Sequence, residues 1–439
     1  MSELPTSVRA PFTPHARLGV PSRAWPVFAI IAPVYVCTMF YRTAPTVLAL
    51  DIAADLGLVA ADMAMLSGAT MLGYGLMQLP SGLLSDAWGG RKTLSLFTLL
   101  VGLSTVWFSR SDTFAGVTAA RFLTGLGVAA TVPCLAILAR WFPASLYGRV
   151  SSLMFAGGTC GTLLASAPLV AASGLAGWRG TMLVCGLFSL CLAALVWLGV
   201  RDEPESTASR SANGGGDEAG RARSVGVGPR ELAAGLKQVL TTRAFWPLCV
   251  GYSCLLLVYF SFAGLWWGPW LIQGCGLDKA QAGAVLFIGT LASVPAMPLL
   301  ATLSDKLRSR RAVLVPCAAV ALAAMAAMTL TTGRLGLVPL AALAVAFTSA
   351  CGLSAVALAS GKELFPLRMV GTATGCLNTI PALAAALHQK LFGAVLGWRL
   401  TERGGDYGAA YGDAMGVNLA FLALALVAFL LIRESYPRD

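Results

Sequence analysis

The stretch Gly82-Leu-Leu-Ser-Asp86-Ala-Trp-Gly-Gly-Arg91-Lys92 occurs a second time, in altered form, as Ala301-Thr-Leu-Ser-Asp305-Lys-Leu-Arg-Ser-Arg310-Arg311. Both copies keep Ser-Asp followed five positions later by Arg, and each lies where one long apolar segment ends and the next begins. Gly177-Trp178-Arg179 likewise recurs as Gly397-Trp398-Arg399 at nearly the same offset. Two similar hydrophobic halves that carry the same charged turn are typical of secondary transporters built from repeats.

The composition is that of an integral membrane protein. Of 439 residues, 57% are hydrophobic and 12% are charged, whereas a soluble domain carries about 25% charged residues. About 20 consecutive apolar residues are needed to cross a bilayer as a helix. The sequence therefore predicts an all-α membrane protein with twelve transmembrane helices in two pseudo-symmetric six-helix bundles, with spans at 25–50, 61–82, 93–111, 114–139, 150–176, 180–200, 246–271, 280–303, 312–332, 335–361, 370–397 and 415–432.

Segments without long apolar stretches set the predicted domain limits. These are a cytoplasmic tail at 1–24, an N-terminal six-helix bundle at 25–200, a cytoplasmic linker at 201–243, a C-terminal six-helix bundle at 244–432 and a cytoplasmic tail at 433–439. The linker contains Ser-Ala-Asn-Gly-Gly-Gly-Asp-Glu, a composition typical of flexible connections. Apolar residues at i, i+4, i+7 and i+8 from Leu232 predict an amphipathic helix on the cytoplasmic surface at the end of this linker.

The distribution of positive charge indicates topology and not a charged partner. The formal net charge is +11, and with a cytoplasmic N-terminus 22 of the 31 Lys and Arg fall in cytoplasmic tails and loops. Six lie towards the opposite side and three lie inside spans. Cytoplasmic loops of membrane proteins carry such an excess of Lys and Arg. We therefore predict a multi-pass protein of the bacterial inner membrane, with both termini cytoplasmic, in contact with lipids and without a nucleic-acid partner.

The sequence shows no pattern of catalytic or metal-binding residues. The eleven cysteines are odd in number and lack CxxC spacing, so they indicate neither a disulfide framework nor a metal site. The two histidines belong to no recognisable nucleophile–base set, and no nucleotide-binding loop is visible. We predict that the protein is not an enzyme, has no catalytic residues and binds neither a metal nor a cofactor.

Over essentially its whole length the chain resembles the major facilitator superfamily. In that family the repeated turn falls between spans 2 and 3 and between spans 8 and 9, as it does here, although Ala87 and Ala301 depart from the usual pattern. The resemblance implies that motif residues pair across the interface between the halves and stabilise the outward-open state. These positions are Gly82, Asp86, Arg91, Arg149, Asp305 and Arg310. The alternative is that the turns are positive loops in which Asp caps a helix.

Spans 1 and 4 resemble those of the anion:cation symporters within this superfamily. Span 1 contains Phe40-Tyr41-Arg42-Thr-Ala-Pro45, and span 4 contains Arg121-Phe-Leu-Thr-Gly125. The resemblance implies that Arg42 and Arg121 bind a carboxylate or couple its movement to protons. In proton-coupled members an acidic residue precedes the first Arg and another follows the second by seven positions, but Tyr41 and Val128 occupy these positions here.

A guanidinium inside the bilayer suits anion binding on physical grounds. Placing Arg there costs at least about 2.5–3.5 kcal/mol, so it is expected to face a wet cavity or an anion. Its planar fork matches a carboxylate through two parallel hydrogen bonds. Two alternatives are open: Arg42 lies late enough in span 1 to snorkel to the outer surface, and Arg121 could bond only backbone carbonyls of neighbouring helices.

Other polar residues within the spans are weaker candidates. His388 in span 11 is the remaining titratable candidate for coupling to a proton, and its alternative role is a structural hydrogen bond. Phenol and amide groups in the cavity would hydrogen-bond a polar solute, although they serve equally well in helix packing. These residues are Tyr35, Tyr41, Tyr252, Tyr259 and Asn378.

Together these features predict a monomeric secondary transporter that moves a small organic solute, above all an organic anion, by alternating access, as an uptake symporter or uniporter. An efflux antiporter is the alternative, although Gly157-Gly158-Thr-Cys-Gly161 and Pro168 lack the Gly-Pro pair usual in helix five of efflux members. A transporter-like receptor would need a signalling domain, which is not visible. Carboxylate metabolites, aromatic acids, amino acids, nucleosides and siderophores all remain candidate substrates, with a proton as a candidate co-substrate.

The charge distribution predicts the topology directly. Reporter fusions after Gly214 and after Asp439 should report the cytoplasm, because the basic loops on that side hold the chain there. A fusion after Ser111 should report the opposite side. A periplasmic signal from the Gly214 fusion would contradict the division into two six-span halves.

Overall fold

The computed structural model describes residue 21 and residues 23–202, 236–365 and 370–435, and within these ranges it contains helices and no strands. The helices of the first half are Ala24–Thr43, Pro45–Leu56, Ala60–Trp88, Gly90–Arg110, Phe114–Gly127, Thr131–Trp141, Ala144–Leu164 and Ala167–Gly199. Those of the second half are Phe245–Ser261, Trp267–Pro269 with π-helical turns at Phe262–Trp266 and Trp270–Gly274, Lys279–Lys306, Arg311–Leu330, Leu337–Cys351, Ser354–Glu363, Val370–Glu402 and Tyr407–Leu430.

These helices form twelve spans in two six-helix bundles, as predicted. Span 1 is interrupted after Thr43, span 4 after Gly127 and span 10 after Cys351. Spans 5 and 6 meet inside the helix Ala167–Gly199 at Gly177, whose φ of 66° lies in the left-handed region that glycine tolerates. Ten helical segments of the described chain are long and apolar enough to cross a membrane.

Five predicted boundaries were wrong by five residues or more: span 1 runs to Leu56 and not to 50, span 5 begins at Ala144 and not at 150, and the others lie in spans 2, 11 and 12. Span 2 does not end at residue 82 but runs to Trp88, where Gly89 with a φ of 90° ends the helix. Span 11 continues past residue 397 to Glu402. Span 12 begins at Tyr407 and not at 415, because the Asp406 carboxylate accepts a hydrogen bond from the backbone N–H of Ala409 and caps the helix.

The two halves repeat one pattern of helix packing. In the first half span 1 packs on span 5, span 2 on span 4 and span 3 on span 6. In the second half span 7 packs on span 11, span 8 on span 10 and span 9 on span 12, which is the same pattern shifted by six spans. Between the halves, span 2 packs on span 11 and span 8 packs on span 5. The sequence repeat is therefore also a structural repeat.

The predicted linker lies largely outside the described residues, as do most of the N-terminal tail and the last four residues. Its final part is described, and residues 236–241 are helical. Val239 is fully buried there, and Leu236 and Leu240 pack against the apolar core of the second half. An apolar face at this spacing is what the sequence predicted for the end of the linker.

Two glycines bring helix backbones of the first half into close contact. A Cβ at Gly125 of span 4 would lie 2.2 Å from the carbonyl oxygen of Thr70 in span 2. A Cβ at Gly161 of span 5 would lie 2.0 Å from the carbonyl oxygen of Val36 in span 1. Small residues allow such approaches, which supply the van der Waals contact that holds membrane helices together.

Gly161→Ala should therefore destabilise the protein, because the added methyl group meets a rigid backbone carbonyl. Overpacking of this kind typically costs about 1–3 kcal/mol. Gly157→Ala is the matched control, since a Cβ at Gly157 on the same helix has no neighbouring atom within 4 Å. Thermal unfolding of both purified variants measures the difference. Equal midpoints for the two variants would show that spans 1 and 5 tolerate separation.

Candidate functional site

A cavity of about 110 Å³ lies between the two halves. Spans 1, 2 and 5 of the first half and spans 7, 8 and 10 of the second half form its walls. Its lining residues are Met39, Arg42, Thr43, Met71, Thr162, Ala165, Ser166, Tyr259, Phe260, Ala263, Gly264, Trp267, Leu286, Thr290 and Thr348. Ala263 and Gly264 belong to the first π-helical turn of span 7, a backbone irregularity often found at functional sites.

Arg42 is the charged residue in this lining. Its guanidinium carbon lies 4.3 Å from the ring centre of Tyr74 in span 2 and 4.7 Å from that of Phe260 in span 7. Its Nη1 donates a long hydrogen bond of 3.4 Å to the Tyr74 hydroxyl and approaches Met39 Sδ at 3.9 Å. Within the described ranges, Arg42 has no carboxylate partner. The structure thus places it at the cavity and not at the outer surface.

This environment leaves the binding edge of Arg42 available. Cation–π contacts with two aromatic rings offset part of the cost of holding a guanidinium in the membrane. The Nη1 group of Arg42 is used in its contacts with the Tyr74 hydroxyl and Met39 Sδ. Nε and Nη2 of Arg42 donate to no group in the described parts of the chain. An anion with two coplanar oxygens fits this vacant edge.

Arg121 lies deeper in the first half, outside the cavity lining. It is 4% exposed, and its Nη2 donates a 3.2 Å hydrogen bond to the carbonyl oxygen of Tyr41. The guanidinium carbon lies 5.7 Å from the ring centre of Phe108. This hydrogen bond ties span 4 to span 1 at the residue next to Arg42. In this geometry Arg121 positions the backbone that carries Arg42.

The tyrosines of span 1 point into the first bundle. Tyr41 is 1% exposed, and its hydroxyl donates to the Cys185 carbonyl at 2.7 Å and shares a hydrogen bond of 2.8 Å with Ser189. Tyr35 packs edge-on against Phe155 at a ring distance of 5.6 Å. Neither lines the cavity. Successive helical residues are rotated by about 100°, so Tyr41 and Arg42 face different neighbours.

The predicted site residues of the second half are dispersed. Tyr259 lines the cavity, whereas Tyr252, two turns earlier, is buried in the apolar core. The Asn378 amide donates to the carbonyl of Thr374 in its own helix at 2.9 Å. His388 is 2% exposed with its ring 5.2 Å from that of Phe421, and neither ring nitrogen has a hydrogen-bond partner among the described residues. Of these four predicted residues, Tyr259 is the one that lines the cavity.

Sequence reasoning missed three side chains at or behind the cavity wall. Tyr74 and Phe260 contact Arg42, and Gln389 is fully buried with its Nε2 3.4 Å from the carbonyl oxygen of Phe260. The usable signal for Tyr74 was its place between Gly73 and Gly75 in span 2, where glycines allow other helices to approach on both sides. Phe260 and Gln389 carried no signal that separated them from ordinary packing residues.

The side of the bundle opposite the two motif turns is closed by contacts between the halves. We call it the Lys279 side. Lys279, the first residue of span 8, forms an ion pair with Asp51 of span 1 and donates a 3.1 Å hydrogen bond to Ser173. The part of span 1 that begins at Pro45 also packs against span 7 at Trp267–Pro269. These contacts join both halves across the cavity end.

The second motif copy forms a network within its own half. Arg310 contacts Asp305 at 2.7 Å and Glu363, at the end of span 10, at 2.6 Å. Its backbone N–H donates to Glu434, which follows span 12, at 2.8 Å. Hydrogen bonds to Glu363, followed by those to Asp305, raise the pKa of Arg310 above its usual value despite the opposing effect of burial. Arg310 therefore keeps its positive charge.

The first copy is arranged in a similar way. The backbone N–H of Arg91 donates to Asp202, which follows span 6, at 2.7 Å, so Asp202 corresponds to Glu434. The Arg91 Nε donates to the Trp197 carbonyl at 2.9 Å. Gly82 lies within the helix of span 2, and Arg149 is exposed at the start of span 5. The Asp86 side chain lies outside the described residues.

Comparison with models of protein families identifies the family of the chain. The model described as Major Facilitator Superfamily matches residues 31–388. The chain belongs to this superfamily. The resemblance noted in the repeated turns is thereby confirmed, and the fold of two six-helix bundles is that of the family.

Curated relatives are similar over part of the chain. The chain is 27% identical to the "Probable galactarate/D-glucarate transporter GudP" of Bacillus subtilis over 55% of each chain. It is 26% identical to a "Putative tartrate transporter" of Agrobacterium vitis, over 60% of this chain and 62% of the relative. A "Probable L-galactonate transporter" of Escherichia coli is 29% identical over 56% and 54%. The alignments thus span little more than half the length of these relatives.

Solved structures share the fold at low sequence identity. A bacterial homologue of the human lysosomal transporter Spinster, in an inward-facing and unoccupied conformation, superposes with a TM-score of 0.75 at 18% identity over 94% of this chain and 98% of that one. A D-xylose–proton symporter superposes with a TM-score of 0.70 at 14% identity over 95% and 98%. At these identities the similarity supports the fold alone.

Proposed function

We propose that this protein is a secondary transporter that takes up a small organic anion across the bacterial inner membrane by alternating access. One observation carries the proposal: Arg42 is half-buried at a cavity between the halves, and within the described residues it has no carboxylate partner. An arginine fork held by aromatic faces is a site for a carboxylate supplied by the solute. The relatives are named as transporters of galactarate, D-glucarate, tartrate and L-galactonate, and these names support an anionic substrate.

The orientation follows from the distribution of Lys and Arg. We place the motif side, with the turns around Asp86 and Asp305, in the cytoplasm together with both termini. The Lys279 side then faces outwards, and the structure is closed to the outside. In the part of the chain that the structure describes, none of the residues that line the cavity is Asp, Glu or His. Proton coupling through a cavity side chain is therefore not part of the proposal, which covers uniport and symport alike.

We further propose that two charge clusters act as alternating gates. The Lys279–Asp51 pair stabilises the state that is closed to the outside. The turns around Arg91 and Arg310 stabilise the outward-open state, when the cytoplasmic ends of the halves approach each other. In the present structure Arg310 has carboxylate partners within its own half, which compensate its charge.

Arg42→Lys tests the anchor because it retains the charge but loses the fork and the flat face that stacks on Tyr74 and Phe260. We expect at least a tenfold loss of affinity for the transported anion, equivalent to about 1.4 kcal/mol. Arg42→Ala should abolish uptake. Isothermal titration on purified protein, with an acid found by screening organic anions for thermal stabilisation, measures the affinity.

Arg110→Lys is the matched control, since Arg110 is exposed at the end of span 3 and should bind like the wild type. If Arg42→Lys binds as tightly as the wild type, Arg42 is not the anchor. If the transported solute proves to be neutral, the proposed anion transport itself is wrong.

Removing the outer ion pair should loosen the closed side. Both side chains are about one-third exposed, at 33% and 35%, so water screens the ion pair. Such pairs contribute up to about 1 kcal/mol. Losing the pair would therefore change the ratio of closed to open states by roughly fivefold. Lys279→Gln should therefore increase hydrogen–deuterium exchange of the helix Pro45–Leu56. The exchanged pair Asp51→Lys with Lys279→Asp should restore slow exchange. Unchanged exchange in Lys279→Gln would exclude the pair as a gate.

A further inference from the structure

We infer, on the basis of the proposed function, that the substrate is a monocarboxylate with a compact apolar body, such as a ring, and not a polyhydroxylated diacid. The cavity between the halves presents one charged group and a mostly apolar wall. The inferred class is narrower than organic anions in general. It differs from the substrates that the names of the relatives give, which are galactarate, D-glucarate and tartrate.

The first argument is the number of charges. Arg42 supplies one positive charge, and no other described residue of the cavity lining is charged. One carboxylate bound to its vacant Nε and Nη2 edge would neutralise it. A second carboxylate would lie in the same low-dielectric space without a cation, and burying an unpaired charge carries a large penalty. A diacid is therefore disfavoured by the lining itself.

The second argument is the state of the hydroxyl groups. Thr43 donates its hydroxyl proton to the Met39 carbonyl at 3.3 Å, Ser166 to the Leu163 carbonyl at 2.6 Å, and Thr348 to the Gly289 carbonyl at 2.6 Å. These three donors are already used by backbone carbonyls, and Thr162, Thr290 and Tyr259 bring the other hydroxyl groups of the lining. A sugar acid exposes a hydroxyl on nearly every carbon, and each one that enters without a partner loses its hydrogen bonds to water.

The third argument is the chemistry of the remaining wall. Met39, Met71, Phe260, Trp267 and Leu286 face the cavity from spans 1, 2, 7 and 8. Trp267 is 2% exposed, stacks on Phe262 at 5.3 Å, and has an indole N–H without an acceptor among the described residues. Flexible thioethers and aromatic rings provide favourable contacts for an apolar ring.

The volume of the cavity also fits a small ring acid. The cavity volume is about 110 Å³, the same order as an engineered apolar cavity of about 150 Å³ that binds benzene. A small ring acid such as benzoate combines one carboxylate for Arg42 with a ring for the apolar wall. Tyr259, which also lines the cavity, provides a hydroxyl for a single polar substituent.

The test uses the purified full-length protein with matched probes. Benzoate and phenylacetate represent the inferred class, tartrate and galactarate represent hydroxylated diacids, and benzamide is the neutral isostere of benzoate. Binding is measured by isothermal titration, with thermal stabilisation as a second readout. We expect benzoate or phenylacetate to bind at least about tenfold more tightly than either diacid, a difference of about 1.4 kcal/mol. Benzamide should bind at least tenfold more weakly than benzoate.

Two variants make the result specific to the cavity. Leu286→Asn should weaken binding of the ring acid about tenfold, because it places an amide in the apolar wall, whereas Leu291→Met, at an exposed position of the same helix outside the cavity lining, should bind like the wild type. Tighter binding of tartrate or galactarate, lost in Arg42→Lys, would overturn the inference while leaving anion transport intact. Binding of benzamide as tight as that of benzoate would overturn both. Failure of both ring acids to bind would overturn the inference as well.

Discussion

The arrangement around the cavity depends on one unneutralised guanidinium within a membrane-spanning helix. Arg42 lies over the rings of Tyr74 and Phe260 at 4.3 Å and 4.7 Å, and among the described residues it has no carboxylate partner. Cation–π contacts of this kind contribute roughly 0.5–2 kcal/mol each, so the two together offset much of the cost of placing Arg in a bilayer but leave its charge without a counterion. A bound anion would compensate the positive charge of Arg42 and stabilise it further, as an anion-binding site requires.

Span 1 connects this site to the rest of the molecule. Its Tyr41 carbonyl accepts a hydrogen bond from Arg121 of span 4, which fixes the backbone next to Arg42 inside the first half. Beyond the interruption at Pro45, the same span carries Asp51, which pairs with Lys279 of the second half. Span 1 therefore carries the proposed anion anchor and one side of the proposed outer gate, with a proline between them. Proline removes a backbone hydrogen bond at this point, which favours a bend between Arg42 and Asp51.

The fold could be predicted from the sequence because its determinants are periodic and local. Twelve apolar segments and a repeated Ser-Asp turn are readable along the chain, whereas the early start of span 12 depended on whether Asp406 would act as an N-cap. The site was predicted in part. Arg42 stood out because charge is costly in a membrane, but Tyr74 and Phe260 are ordinary apolar-helix residues until the halves are brought together. His388 was chosen as titratable, yet its neighbour Gln389 lies against Phe260, because a step of one residue turns the helix by about 100°.

The composition of the cavity wall explains how a bound anion could influence the gates. Arg42 comes from the first half, whereas Tyr259, Phe260 and Trp267 come from the second. A ligand shifts a conformational equilibrium only by the difference in its affinity for the two states. An anion with an apolar body satisfies Arg42 through its carboxylate and the opposite wall through its ring, so it binds best when both halves are close. The aromatic contact between Phe260 and Arg42 already joins the halves weakly without it. In the proposed mechanism, a bound anion of this kind therefore strengthens the contact between Phe260 and Arg42 that joins the halves, whereas an ion that met Arg42 alone would lack this effect.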